Sequence, residues 1–110
     1  MPTLLEYIDE QRRSPFGRWL AELTALAALK VRTALARLEA GNTSAVKSVG
    51  GGVHELRVDF GPGYRVYLAS TPDFVILLGG SAKARQSAAI AGAQGRWNDY
   101  RRCKRRRDLE

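Results

Sequence analysis

The tightest constraint on this chain is the stretch from Gly52 to Leu68, GVHELRVDFGPGYRVYL. Two runs of strict alternation, residues 53–60 and 64–68, flank Gly61-Pro62-Gly63. Glycine reaches positive φ without a Cβ clash and proline presets its own φ, so the spacing predicts a β-hairpin. In the first run Leu56, Val58 and Phe60 share one face, and Glu55, Arg57 and Asp59 share the other. In the second, Tyr64, Val66 and Leu68 oppose Arg65 and Tyr67. With the apolar side turned to a core, Arg57, Arg65 and Tyr67 are left on the opposite face. Two guanidiniums and a phenol on a rigid β platform predict a phosphate site.

At 110 residues the chain is expected to form one domain over residues 1–103, with a basic, disordered tail over 104–110. No apolar run is long enough to cross a bilayer, and the first residues lack the basic-then-apolar pattern of a signal peptide. A single cysteine, Cys103, predicts neither a disulfide framework nor a metal cluster. The expectation is a cytoplasmic protein with no membrane partner and no cofactor. Lys and Arg outnumber Asp and Glu by 18 to 11, and six of the eighteen lie between Arg101 and Arg107. Such an excess predicts a polyanionic partner, either nucleic acid or an acidic protein. The bland alternative for the terminal run is a solubilising end.

Residues 3–8 read as a short first strand. Ser14-Pro15 reads as an N-cap followed by proline at the first helical position, where its missing N–H costs nothing. Phe16, Trp19, Leu20 and Leu23 then recur at helical spacing, as a core-facing stripe. A second helical pattern covers about residues 27–40 and ends at Gly41-Asn42. Thr24 as a cap would split the two into an antiparallel pair, and one long helix is the alternative. A short strand is expected at 46–49, before three consecutive glycines. After the hairpin, Thr71-Pro72-Asp73 predicts a turn. Residues 74–78 (FVILL) predict a central strand covered on both faces and stopped by Gly79-Gly80. From about 85 to 101, Ile90, Ala93, Trp97 and Tyr100 predict a last helix, weakened by Gly92 and Gly95. Helices followed by strands predict an α+β fold, with the helical pair on one face of an antiparallel sheet.

The segments SPFGRWL (14–20), ALARLEAGN (34–42), VKSVGGGVHELRVDFGPGYRVYL (46–68), VILLGG (75–80) and K-x-R-Q (83–86) carry a resemblance. Over about residues 5–101 the chain is similar to the RelE/ParE superfamily of type II toxin–antitoxin modules, in the HigB-like "addiction module killer protein" branch. The most specific part is G-x-G-V-x-E-L-R followed by G-P-G-Y-R-x-Y. The resemblance implies a βααβββα domain. It also implies a toxin that cuts mRNA on the ribosome without a metal, held in check by a cognate antitoxin of helix-turn-helix type. ParE-type relatives share the fold and poison DNA gyrase, so a non-nuclease gyrase inhibitor is the alternative. An inactivated homologue is the third reading. The alanines at 82, 84, 88 and 89 fit it, and equally fit a tolerant helix start; relatives carry an acid at the position of Ala89, and glycine and then Asp or Thr where this chain has Ser81-Ala82. No tyrosine follows Lys83 as it does in many RelE-type sites.

Carried onto this chain, the resemblance implies functional cations at Lys47, Arg57, Arg65 and Lys83. Their chemistry suits metal-free RNA cleavage, in which the 2′-OH attacks its adjacent phosphate. Arg57 and Arg65 would stabilise the added charge, since a guanidinium fork binds two phosphate oxygens and stays ionised. Lys47 and Lys83, crowded by other cations, would each serve as base or acid. Tyr67 would stack on a base or donate a proton, and Arg85 and Gln86 would orient the RNA or merely cap the last helix. The bland readings are solvated strand arginines, or neutralisation of Arg57 by Glu55 and Asp59. His54, the one histidine, is expected toward the core with Leu56 and Val58, unless a bulge at 50–52 reverses its parity.

Overall fold

A computed structural model describes the backbone of residues 3–109 and the side chains of residues 3–105. The chain runs β1 (Thr3–Glu6), α1 (Pro15–Ala21), α2 (Ala25–Glu39), β2 (Val46–Gly50), β3 (Val53–Val58), β4 (Tyr64–Ser70), β5 (Phe74–Ala82), a 3-10 turn (Lys83–Arg85) and α3 (Gln86–Leu109). The five strands form one sheet in the order β1-β5-β4-β3-β2. This is an α+β fold with α1 and α2 on one face of the sheet and α3 on the other.

The sheet is mixed, which corrects the expected antiparallel one. β2 to β5 meander antiparallel, but β1 lies parallel to β5, with Thr3 opposite Phe74 and Glu6 opposite Leu77. Between them the helical pair carries the chain to the far edge, and the returning strands bring β5 home in β1's direction. Local alternation fixes which way side chains face, not which strand becomes a neighbour.

The helices start where the caps were expected. Ser14 Oγ accepts from Gly17 N at 2.9 Å, ahead of Pro15. Thr24 Oγ1 accepts from Ala27 N at 3.2 Å, so the helical segment divides at Thr24. α2 ends before Gly41, whose φ of +96° only glycine adopts cheaply.

Two cores result. Phe16, Val31, Leu35 and Leu38 of the helical pair pack on Leu56, Val58, Val66, Leu68, Val75 and Leu77. Ala93 and Trp97 of α3 pack on Val53, Tyr67, Ala69, Ile76 and Leu78. β5 thus buries both faces, as its apolar run requires.

β5 does not stop at Gly79-Gly80; it continues to Ala82. A Cβ on Gly80 would sit 2.2 Å from Trp19 Cε3, so the glycine is there to admit the indole rather than to end the strand. Gly52 has the same role on the other face: its φ is +82°, and a Cβ would lie 2.7 Å from Trp97 Nε1. Finally, α3 runs past Tyr100 to Leu109, so the backbone of 104–109 is helical rather than a disordered tail. No glycine or proline interrupts it there. Glu110 lies outside the described residues.

Candidate functional site

Residues opposed in a ladder point to the same side of a sheet, so register alone assembles the site. One row across the α3 face reads Lys47, Glu55, Tyr67 and Gly79; the next reads Arg57, Arg65 and Ser81. The Arg57–Arg65 juxtaposition expected from strand alternation is therefore present, as a direct cross-strand pair.

Two like charges directly opposed are unfavourable unless something compensates. The compensation is Glu55, 3% exposed, which sits diagonally across from Arg65. Arg65 is itself 8% exposed, with Nε 3.7 Å from Glu55 Oε1 and Nη1 donating to Tyr64 O at 3.0 Å. The Nε has no hydrogen-bond acceptor, so charge attraction alone holds it there. The other carboxylate oxygen of Glu55 accepts from Gln86 Nε2. Glu55 thereby ties β3, β4 and the first residue of α3 together. Sequence reasoning saw Glu55 only as a neutraliser of Arg57. Its parity with Arg65 was visible, but not its contact with a helix thirty-one residues away.

Lys83 and Arg85 are exposed on the 3-10 turn that follows β5. Lys83 N donates to Gly63 O at 3.0 Å, which fixes the turn against the β3–β4 hairpin. A Cβ at Gly63 (φ +85°) would lie 3.6 Å from Lys83 Cβ and 3.8 Å from Arg65 Nη1, so the hairpin turn borders the Lys83 stem and the Arg65 guanidinium alike. Arg57 is exposed at the end of β3, and Lys47 is exposed on the edge strand β2. Arg57 also borders the cleft toward α2, together with Arg37 and Ala34.

Two expectations are corrected. Tyr67 does not offer a ring to a base: it is 1% exposed within the α3-side core, and its hydroxyl shares a 2.9 Å hydrogen bond with Ser81 Oγ. Burial pushes its phenol above the ordinary range, against the opposing effect of the Ser81 hydrogen bond. Gln86 is likewise a structural donor to Glu55 rather than a free contact for RNA. Strand parity assigned Tyr67 to the right face, but α3 covers that part of it. His54 pairs with Leu68 on the helical-pair side, where its Nδ1 is buried without a partner. The irregularity between Ser48 and Gly50 of β2 does not reverse its parity.

The result is a strip of the sheet beside the start of α3 whose floor, formed by Glu55, Arg65 and Ser81, is enclosed. Four exposed cations (Lys47, Arg57, Lys83 and Arg85) surround the enclosed Arg65–Glu55 pair. It is a surface rather than a pocket; a cleft of about 690 Å³ opens elsewhere, between β1 and α3. An extended polyanion can lie across such a strip with several phosphates engaged at once. Among the described residues no three His, Cys, Asp or Glu side chains are grouped as metal ligands, and no helix is long and apolar enough to cross a membrane.

The chain matches no protein-family model. It is 43% identical over 81 residues to an uncharacterized protein of Haemophilus influenzae, covering 72% of this chain and 82% of the other.

Proposed function

This chain belongs to the family of that Haemophilus influenzae protein, and we propose that it is the toxin of a type II toxin–antitoxin module. In this reading it is of the RelE-like, HigB-type kind and cleaves mRNA on the ribosome, without a metal, until a cognate antitoxin covers its basic face. The observation that carries the reading is the register-built cation strip, in the sequence context G-x-G-V-x-E-L-R and G-P-G-Y-R-x-Y.

Each residue then has a physical task. Arg57 meets the scissile phosphate directly, its fork suited to two oxygens. Arg65 acts from beneath: Glu55 and the Tyr64 carbonyl hold its guanidinium in place at the floor of the strip, where the carboxylate offsets most of its charge, so that it supports the strip and Arg57 carries the net positive charge. Lys83, whose backbone is held against the hairpin by its hydrogen bond to Gly63 O, moves the proton at the 2′-OH or the leaving 5′-oxygen. Lys47 and Arg85 hold the flanking phosphates.

One observation favours the gyrase-inhibitor reading instead. The enclosure of Arg65 and Tyr67 leaves fewer groups able to touch RNA than the sequence promised. The deciding experiment is to induce the protein in cells and map new mRNA 5′ ends. In-frame cuts in translated messages, lost in Lys83→Ala and Arg57→Ala, are the expected result. Growth arrest with intact messages and gyrase-linked DNA breaks would overturn it.

A further inference from the structure

We propose that the C-terminal part of α3 is a second RNA-docking surface, separate from the candidate site, which grips the phosphate backbone of a duplex segment. The inference rests on the RNA reading above and names where else the same RNA is held.

Four described cations, Arg101, Arg102, Lys104 and Arg105, crowd one and a half turns of α3, and Arg106 and Arg107 follow in sequence. Arg101, Arg102 and Arg105 are exposed, and Lys104 is half-buried. Arg102 is paired with Asp99 at 3.1 Å, and Arg101 donates to Asn98 Oδ1 at 2.6 Å and lies over the Trp97 ring; among the described residues neither Lys104 nor Arg105 forms a side-chain hydrogen bond or ion pair. Packing on the sheet-side core involves Trp97 and Tyr100; beyond them Cys103 and Lys104 border the cleft toward β1, and Arg101, Arg102 and Arg105 face solvent. The molecule is correspondingly elongated, 45 Å along its long axis against 28 and 24 Å.

Chemistry selects the partner. A membrane-surface helix needs an apolar face, and Cys103 is the one apolar residue between Arg101 and Arg105. Arginine rather than lysine predominates, and its planar fork suits phosphate. Position adds the rest. Gln86 opens α3 inside the candidate site, and Lys104 lies eighteen residues along the same helix. At about 1.5 Å per residue the two cationic ends are about 27 Å apart. A short oligonucleotide can occupy the candidate site alone, whereas a larger folded RNA can reach both.

The test measures binding of the full chain to a labelled 20-base-pair RNA duplex and to a five-nucleotide single strand, over a salt series. In Lys104→Gln/Arg105→Gln, duplex affinity should fall at least about tenfold at 0.1 M salt. The slope of log affinity against log salt should drop by about two, one for each lost phosphate contact. Binding of the five-mer should not change. Unchanged duplex binding would overturn the inference, and so would equal weakening of both probes. A DNA duplex bound more tightly than the RNA duplex would also overturn it. So would loss confined to phosphatidylserine vesicles or polyglutamate, which would assign the surface to a membrane or an acidic protein. Binding and cleavage are read separately. A chain that grips the duplex yet cuts no message sinks the proposed function alone; one that cuts with duplex affinity indifferent to the double substitution sinks this inference alone.

Discussion

Arg65 Nε lies 3.7 Å from Glu55 Oε1, diagonally across β3 and β4, with both side chains almost fully enclosed. Gln86 holds the other oxygen of the same carboxylate. A buried pair of this kind is worth little compared with a well-packed apolar substitute, but breaking it leaves one charge stranded. Arg65→Ala and Glu55→Ala should each cost about 3–5 kcal/mol of stability, while Glu55→Leu/Arg65→Met should be milder than either. Urea midpoints decide it; a double variant weaker than both singles would show that the pair itself contributes net stability.

Loss of activity in an Arg65 variant would therefore confound folding with chemistry, and Lys83 is the cleaner probe. It is exposed, and its side chain forms no described hydrogen bond or ion pair. Lys83→Arg keeps the charge but places there a group that stays protonated. It should retain RNA affinity and lose about 10²-fold or more in cleavage rate, the usual scale for a general acid or base. Full activity in Lys83→Arg would assign Lys83 to phosphate binding only.

Gly80 and Trp19 form a lock between β5 and α1. A methyl group at position 80 would enter the indole, with 2.2 Å to Cε3. The ring is further fixed by Phe16 and by edge contact with Tyr64, so it cannot easily yield. Gly80→Ala should destabilise by about 1–3 kcal/mol through overpacking. Adding Trp19→Leu should recover part of that loss. A Gly80→Ala melting curve that overlays the parent's would refute the lock.

Alkaline pH should act through two phenols. Burial raises Tyr67, and burial together with the hydrogen bond to Asp99 raises Tyr7. Both hold their protons more tightly folded than unfolded. Their contribution is therefore complete below the unfolded value of about 10 and is lost as pH rises beyond it. Denaturant midpoints should fall between pH 9 and 11, and Tyr7→Phe/Tyr67→Phe should flatten that fall. An equal slope in the double variant would place the effect elsewhere.

Much of the candidate site was legible because strand alternation is a local rule. From Glu55, Arg57, Arg65 and Tyr67 alone, period two assigns one face, and the ladder has those residues there. Accessibility was not legible. Tyr67 and Gln86 could be assigned their places in the strand and at the helix start. Whether either meets solvent depends on where α3 lies, and α3 is docked by contacts such as Trp97 with Gly52 and Tyr7 with Asp99, made across long stretches of chain.

The same division holds for the whole molecule. Caps at Ser14 and Thr24, the left-handed glycine after α2, the Gly61-Pro62-Gly63 hairpin and the doubly covered β5 follow from residues within a few positions of one another. Such features depend on backbone sterics and side-chain period, which a linear reading contains. The parallel β1–β5 pairing, the passage of β5 through Gly79-Gly80 and the burial of Arg65 against Glu55 were settled only when distant elements packed together. Their causes are excluded volume and charge compensation between surfaces far apart in sequence, and no local pattern encodes which surfaces will meet.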